Sequence, residues 1–148
     1  MTRTTLLLCI GNRDGGDDGI GPYIADKMLT DSKSYIVLDC GTTPENYTAV
    51  VKKQKPNSLI FIDAADMNLP PGEIRRIPKE KLGTMHISTH GIPLVLLITY
   101  LEAEAETIIL IGIQPKRMSG TMSATVKKSG DHLIDLLKKK QYEQIPTL

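Results

Sequence analysis

The chain has no tryptophan, a single phenylalanine, only two cysteines in 148 residues and almost no net charge. Each scarcity removes a class of function. With 18 basic and 17 acidic side chains, a formal net charge of +1 leaves no electrostatic footprint of the kind that grips a nucleic-acid backbone, so nucleic acid is not an expected partner. Five tyrosines and no tryptophan give no obvious aromatic anchor for an interface, and a monomer is expected. No run of about 18 apolar residues, charged-then-apolar leader or lipidation signal occurs, so no membrane association is expected and the protein reads as soluble and cytoplasmic. Two thiols, Cys9 and Cys40, fit that compartment as reduced, packed side chains rather than a bridge. Signatures are missing too: there is no HExxH, no GxSxG, no GxxxxGKS/T, and the glycines after the first apolar run do not form GxGxxG. A loop holding Asp14, Asp17 and Asp18 would also repel a pyrophosphate.

What is present begins at Leu6-Leu7-Leu8-Cys9-Ile10, which breaks into Gly11-Asn12-Arg13-Asp14-Gly15-Gly16-Asp17-Asp18-Gly19-Ile20-Gly21. The run is too short to span a membrane and too aliphatic for a loop, so it reads as a core strand emptying into a glycine-rich acidic turn. Strand-like and helix-like segments then alternate. Strands are predicted at Thr5 to Ile10, Tyr35 to Asp39, Ser58 to Asp63, Gly72 to Ile77 and Thr107 to Ile113; the first, third and fifth are almost continuously apolar, as a sheet covered on both faces requires. Helices are predicted at Gly21 to Leu29, Pro44 to Gln54, Pro93 to Leu101 and Thr121 to Lys140. The second opens on proline, and the last ends in Lys138-Lys139-Lys140, favourable at the negative end of a helix dipole.

Repeated strand-helix-strand units imply right-handed crossovers in a parallel sheet, hence an α/β fold: a three-layer αβα sandwich over one domain, residues 1–148, with a mostly parallel five-stranded sheet. One strand departs from the rule. Met67 to Gly72 is too short for a crossover helix, so Gly72 to Ile77 is expected to run antiparallel at an edge, after the turn Leu69-Pro70-Pro71-Gly72. The Lys79 to Ser88 segment reads as the most mobile loop.

Ligands in such sheets bind outside the carboxyl ends of the strands, where strand order reverses. With the first strand central and the second and third on either side, that edge collects Asp17 and Asp18, then Asp39, then Asp63 and Asp66, with His90 able to join from the stretch before the third helix. Carboxylates plus an imidazole with open positions suit Zn, Ni, Mn or Fe. Each residue alone has a plainer reading: Asp17 or Asp18 as a helix N-cap, Asp63 as a strand terminator, His90 as a packing residue. Together they would repel one another unless a cation or protons intervened. His86 is expected on an exposed loop and His132 as a structural or surface residue of the last helix. Cys40 is near enough to the crevice to be weighed as a nucleophile, though nothing nearby would activate it.

Gly11-Asn12, Gly16-Asp17-Asp18-Gly19-Ile20-Gly21-Pro22, Asp39-Cys40-Gly41-Thr42 with Pro44-Glu45-Asn46, Ile62-Asp63-Ala64-Ala65-Asp66-Met67, Pro71-Gly72-Glu73-Ile74, Thr89-His90-Gly91-Ile92-Pro93-Leu94 and Gly112-Ile113-Gln114-Pro115 occur in an order that spans nearly the whole chain. In this the chain resembles the [NiFe]-hydrogenase maturation endopeptidases, most closely the branch serving formate-hydrogenlyase-type hydrogenases. The resemblance implies removal of a short C-terminal extension from the hydrogenase large-subunit precursor after nickel insertion. It also implies metal contacts at Asp18, Asp63 and His90, a further acid at Asp39, and the precursor's nickel as the ion engaged, with another divalent metal such as zinc as the alternative in the isolated protein. Catalytic roles then fall to Asp18, Asp39, Asp63 and His90. Departures from the family pattern are Arg13-Asp14-Gly15, where bulky apolar residues are common, and Cys40, where glycine is common; a more mobile, more acidic loop is expected at the first. A non-catalytic nickel or maturation chaperone that binds the precursor, and a small-molecule hydrolase on the same scaffold, are the alternatives of other classes.

Overall fold

A computed structural model describes residues 3–30, 34–84, 86–87 and 93–148. Thr5–Ile10 (β1) turns through a 3-10 helix, Gly16–Gly19, into Ile20–Leu29 (α1). Tyr35–Gly41 (β2), a 3-10 helix at Pro44–Tyr47 and Thr48–Gln54 (α2) follow, then Ser58–Asp66 (β3), Ile74–Arg76 (β4), a 3-10 helix at Lys79–Thr84, and His86–Ile87 (β5). Leu94–Leu101 (α3), Thr107–Ile113 (β6), Ala124–Lys138 (α4) and a last 3-10 turn, Tyr142–Gln144, complete the chain.

The main sheet has the order β2-β1-β3-β6-β4. β1 is flanked by β2 and β3, both parallel to it, and β3 pairs in parallel with β6. β4 lies at the edge, antiparallel to β6, as the short connection before it demands. The sheet is thus mostly parallel and five-stranded, with β5 as a two-residue addition on the far end of β3, where Ala65 faces Ile87 and Asp66 faces His86. β5 escapes a periodicity reading because two residues carry no period. It also corrects the expectation of a plain loop over Lys79 to Ser88: the 3-10 helix and β5 lie there, and Met85 and Ser88 are outside the described residues.

The uninterrupted apolar strands arise because the sheet has a core on each face. On one face Leu7, Cys9, Ile60 and Ile62 meet Ile20, Ile24 and Met28 of α1 and Val126, Leu133 and Leu137 of α4. On the other, Leu6, Leu8, Ile10, Leu59 and Phe61 meet Val51 of α2 and Leu94, Leu97, Ile98 and Leu101 of α3. Helix boundaries shift from their predicted places for local reasons. α4 begins at Ala124 rather than Thr121 because Ser123 caps it, its hydroxyl accepting from the Val126 N–H. The predicted Pro44 to Gln54 helix opens as a 3-10 turn before becoming α2.

Two strands run further than expected. β2 continues to Gly41 through a bulge: Cys9 pairs with Asp39 but Ile10 pairs with Gly41, so Cys40 is the extra residue and lies within the strand, not after it. β3 continues to Asp66 because β6 and β5 supply partners beyond β1's last pair, and Asp63 therefore sits inside a strand instead of ending one.

Candidate active site

Asp63 is level with the point at which β1 leaves the sheet: Ile62 is the last β3 residue paired with β1, and among the described residues Asp63 is held in register by Gly112 of β6. Alternation along β3 puts Asp63 on the face of Phe61 and Ala65, the face covered by α2 and α3. Asp63 is completely buried, and neither carboxylate oxygen has a hydrogen-bond partner among the described residues. Burial, then the nearby charge of Asp18, drive its pKa well above the ordinary 3.8, against a smaller opposing pull from the Ala64 N–H. A buried, unsatisfied carboxylate of this kind is retained where a ligand completes it.

Asp18 is brought there by a close turn. Gly11 has φ +151°, and a Cβ on it would stand 1.9 Å from the Asp18 carbonyl oxygen; a Cβ on Gly21 would stand 2.1 Å from the Ile10 carbonyl oxygen. Only glycine lets the chain fold back this tightly on the end of β1. Asp18 is nearly buried and its Oδ2 accepts from the Asn12 N–H at 3.0 Å.

Asp17, adjacent in sequence, does different work. Its Oδ2 accepts from the N–H groups of Lys116 (2.7 Å) and Arg117 (3.0 Å) and from the Ser123 hydroxyl (2.9 Å), and its Oδ1 from the Ser123 N–H (2.6 Å). Burial alone would raise its pKa, yet these four donors bring it below the ordinary value. Asp17 therefore staples the turn after β1 to the connection between β6 and α4, a tertiary role that an N-cap reading misses.

Asp39 stands on the bulged end of β2. Its Oδ2 accepts from Arg13 Nη2 at 2.5 Å and its Oδ1 from the Gly41 N–H at 3.3 Å. Arg13 also grips Asp26 of α1 through two bonds of 2.7 and 2.8 Å, which lower the Asp26 pKa and raise that of Arg13. The Arg13-Asp14-Gly15 loop, expected to be mobile, is tied down by these pairs and by bonds from the Asp14 and Gly15 N–H groups to Asn12. Gly11, Asn12, Arg13, Asp39, Cys40 and Tyr47 surround a cleft of ≈ 390 Å³ at this end of β1 and β2.

The remaining candidates separate. Asp66 is drawn aside: its Oδ1 accepts from Gln114 Nε2 (3.1 Å) and from the Asn68 N–H (3.2 Å). Gln114 in turn accepts through Oε1 from the Met67 (2.6 Å) and Leu69 (3.3 Å) N–H groups, fixing the chain where it leaves β3. That role was not read from the sequence, where Gln114 figured only as part of a motif. Cys9 and Cys40 are free and buried, each in a different core. Burial, then Asp39, push the Cys40 thiol up to about 12, which disfavours the thiolate that a nucleophile needs. His86 belongs to β5 and so lies in a strand rather than a loop, and His132 is exposed on α4. His90 lies outside the described residues. Among the described residues no group of three or more His, Cys, Asp or Glu is placed to hold a metal ion; Asp18 lies near enough to raise the Asp63 pKa.

Residues 24–140 match the family model described as hydrogenase maturation protease, HycI. The chain is 41% identical over 114 residues to the hydrogenase 3 maturation protease of Escherichia coli K12, covering 76% of this chain and 73% of that protein. It belongs to the hydrogenase maturation protease family. The solution structure of the endopeptidase HycI from Escherichia coli superposes with a TM-score of 0.88 at 32% identity, covering 98% of this chain and 96% of that one. A [NiFe] hydrogenase maturation protease HycI from Thermococcus kodakarensis gives 0.82 at 29% identity, covering 95% and 92%. The family match spans Asp39, Asp63 and His90 and begins after Asp17 and Asp18, while the structural likeness takes in nearly the whole chain. Membership in a protease family favours a peptide-bond hydrolase over the chaperone and small-molecule alternatives.

Proposed function

We propose that this protease removes the C-terminal extension from the large-subunit precursor of a [NiFe]-hydrogenase once nickel is in place. The observation that carries the reading is Asp63, a fully buried carboxyl group whose oxygens have no hydrogen-bond partner among the described residues, near the charge of Asp18 at the edge where the fold collects ligands. Burial and Asp18 disfavour the Asp63 anion in the empty site, and a cation between the two carboxyl groups would favour it. Asp18, Asp63 and His90 are the residues that would engage the nickel already held by the precursor, which is part of the substrate; zinc or another divalent ion would meet the same donors in the isolated protein. A bound cation polarises a carbonyl and acidifies water.

The chain's own residues supply the rest. Water adds to the scissile carbonyl carbon, the carbon–nitrogen bond breaks, and the proton lost by the water ends on the departing amine. Asp39 is the acid assigned to this proton traffic, oriented by Arg13 and the Gly41 N–H. The two cores make the strand ends a rigid platform, and the Asp17 staple holds the neighbouring connection against it.

Intact mass of a nickel-loaded large-subunit precursor from the same genome, before and after incubation with the protein, tests the reading. Loss of a C-terminal fragment is expected with the nickel-loaded precursor and not with nickel-free precursor or with the His90→Ala variant. Binding without mass loss would favour a chaperone, and cleavage independent of nickel would remove the metal from recognition.

A further inference from the structure

Among the described residues, three buried side-chain oxygens lack a hydrogen-bond partner: both of Asp63, and Oε2 of Glu45. Glu45 stands in the 3-10 helix Pro44–Tyr47 just beyond the bulge at Cys40, on the same edge of the sheet as Asp39. The other acids of this edge are engaged. Asp17 has its four donors, Asp39 has Arg13 and the Gly41 N–H, and Asp66 has Gln114 and the Asn68 N–H. A surface carboxylate keeps its water; one turned inward without a donor loses hydration and gains nothing in return. The charge of Glu45 also reaches Cys40, where it adds to the larger effects of burial and Asp39 in raising the thiol pKa. Cys40 and Tyr47, on either side of Glu45 in sequence, both line the cleft at the ends of β1 and β2. The glutamate as a whole is only partly buried and is not itself among the residues lining the cleft, so a turn about its side-chain bonds is needed to bring Oε2 there.

We propose that Glu45 is a substrate-binding residue whose Oε2 accepts a hydrogen bond from an N–H group of the precursor segment lying in the cleft. The assignment rests on the proposed peptidase function. Binding then supplies the missing donor, and the cost of the orphaned oxygen becomes part of the affinity for substrate over empty enzyme. The donor is a backbone amide or a cationic side chain of the peptide; both offer the same chemistry to a carboxylate.

Steady-state processing of nickel-loaded precursor by wild type, Glu45→Gln and Glu45→Ala, with thermal melting of each, decides it. KM is expected to rise about tenfold or more in Glu45→Ala with kcat little changed, the pattern for loss of a contact made equally in ground and transition states. Melting temperatures of both variants are expected to equal or exceed that of wild type, because an unsatisfied charge is removed. Glu45→Gln matching Glu45→Ala would identify a cationic donor; a wild-type KM in Glu45→Gln alone would identify a backbone amide, which the glutamine oxygen can still accept from. Wild-type KM in both variants overturns the proposal, as does a loss of activity that follows a lower melting temperature. If wild-type enzyme itself leaves the precursor uncut, the peptidase reading fails and this one with it; a cutting wild type beside an equally efficient Glu45→Ala refutes only the role of Glu45.

Discussion

Neighbouring aspartates can have opposite energetic signs, and Asp17 and Asp63 mark the two extremes at this site. Asp17 is a buried charge fully compensated by four donors, so its removal strands Lys116, Arg117 and Ser123. Asp17→Ala is expected to lower stability by about 3 kcal/mol, since several donors of a charged acceptor are left unsatisfied together; urea unfolding measures it, and a loss below about 1 kcal/mol would refute the staple. Asp63 is a buried carboxyl group whose oxygens find no hydrogen-bond partner among the described residues, and burial beside Asp18 raises its pKa well above the ordinary value. Asp63→Asn replaces this ionisable group with a neutral one of nearly the same volume, relieves the cost of burying it beside Asp18 and is expected to stabilise by about 1 kcal/mol, a rise of roughly 3 °C in Tm for a chain of this size, while processing is lost. Calorimetry beside the mass assay checks the pair; a less stable, inactive variant would make Asp63 a structural residue.

Elements are held in place here by a few long-range polar ties laid over two apolar cores. One joins β2 to the end of α4: the Tyr35 hydroxyl donates to the Leu137 carbonyl at 2.5 Å across the first core. Burial, followed by the influence of Tyr142, pushes the Tyr35 pKa from 10.0 up to about 12. Because the folded value is the higher one, the folded state holds this proton more tightly than the unfolded chain. The resulting stability is complete below pH 10.0 and is lost as pH rises towards about 12. Tyr35→Phe is expected to cost about 1 kcal/mol at neutral pH and to flatten the alkaline limb of the stability curve. Thermal melts across that range test it; an unchanged alkaline limb would place the titration elsewhere.

Across the whole molecule, what could be read from the sequence was whatever leaves a pattern along the chain. The runs at Leu6–Ile10, Leu59–Ile62 and Ile108–Ile113 announce strands covered on both faces, and the short Pro70-Pro71-Gly72 turn announces the antiparallel edge. Gathering of the acids at one sheet edge follows from strand order alone. Side-chain direction does not: Asp17 and Asp18 are adjacent in a single 3-10 turn, yet one faces the connection after β6 and the other the end of β1. The bulge at Cys40, the Arg13 clamp across Asp26 and Asp39 and the orphaned Glu45 oxygen exist only once distant segments meet. The same geometry fixes how the folded molecule should respond to a cation. A ligand that binds the folded state alone raises its stability by RT ln(1 + [L]/Kd), about 2.7 kcal/mol at a hundredfold excess over Kd, and an unpartnered Asp63 beside Asp18 gives a divalent ion its reason to prefer the folded chain. Nickel or zinc added to the isolated protein is therefore expected to raise the Tm of wild type in a concentration-dependent way and to leave Asp63→Asn unmoved. The variant is the decisive arm, because nonspecific binding at His132 or the surface carboxylates would shift both proteins alike, whereas an equal shift in both would mean that the buried pair does not hold the ion.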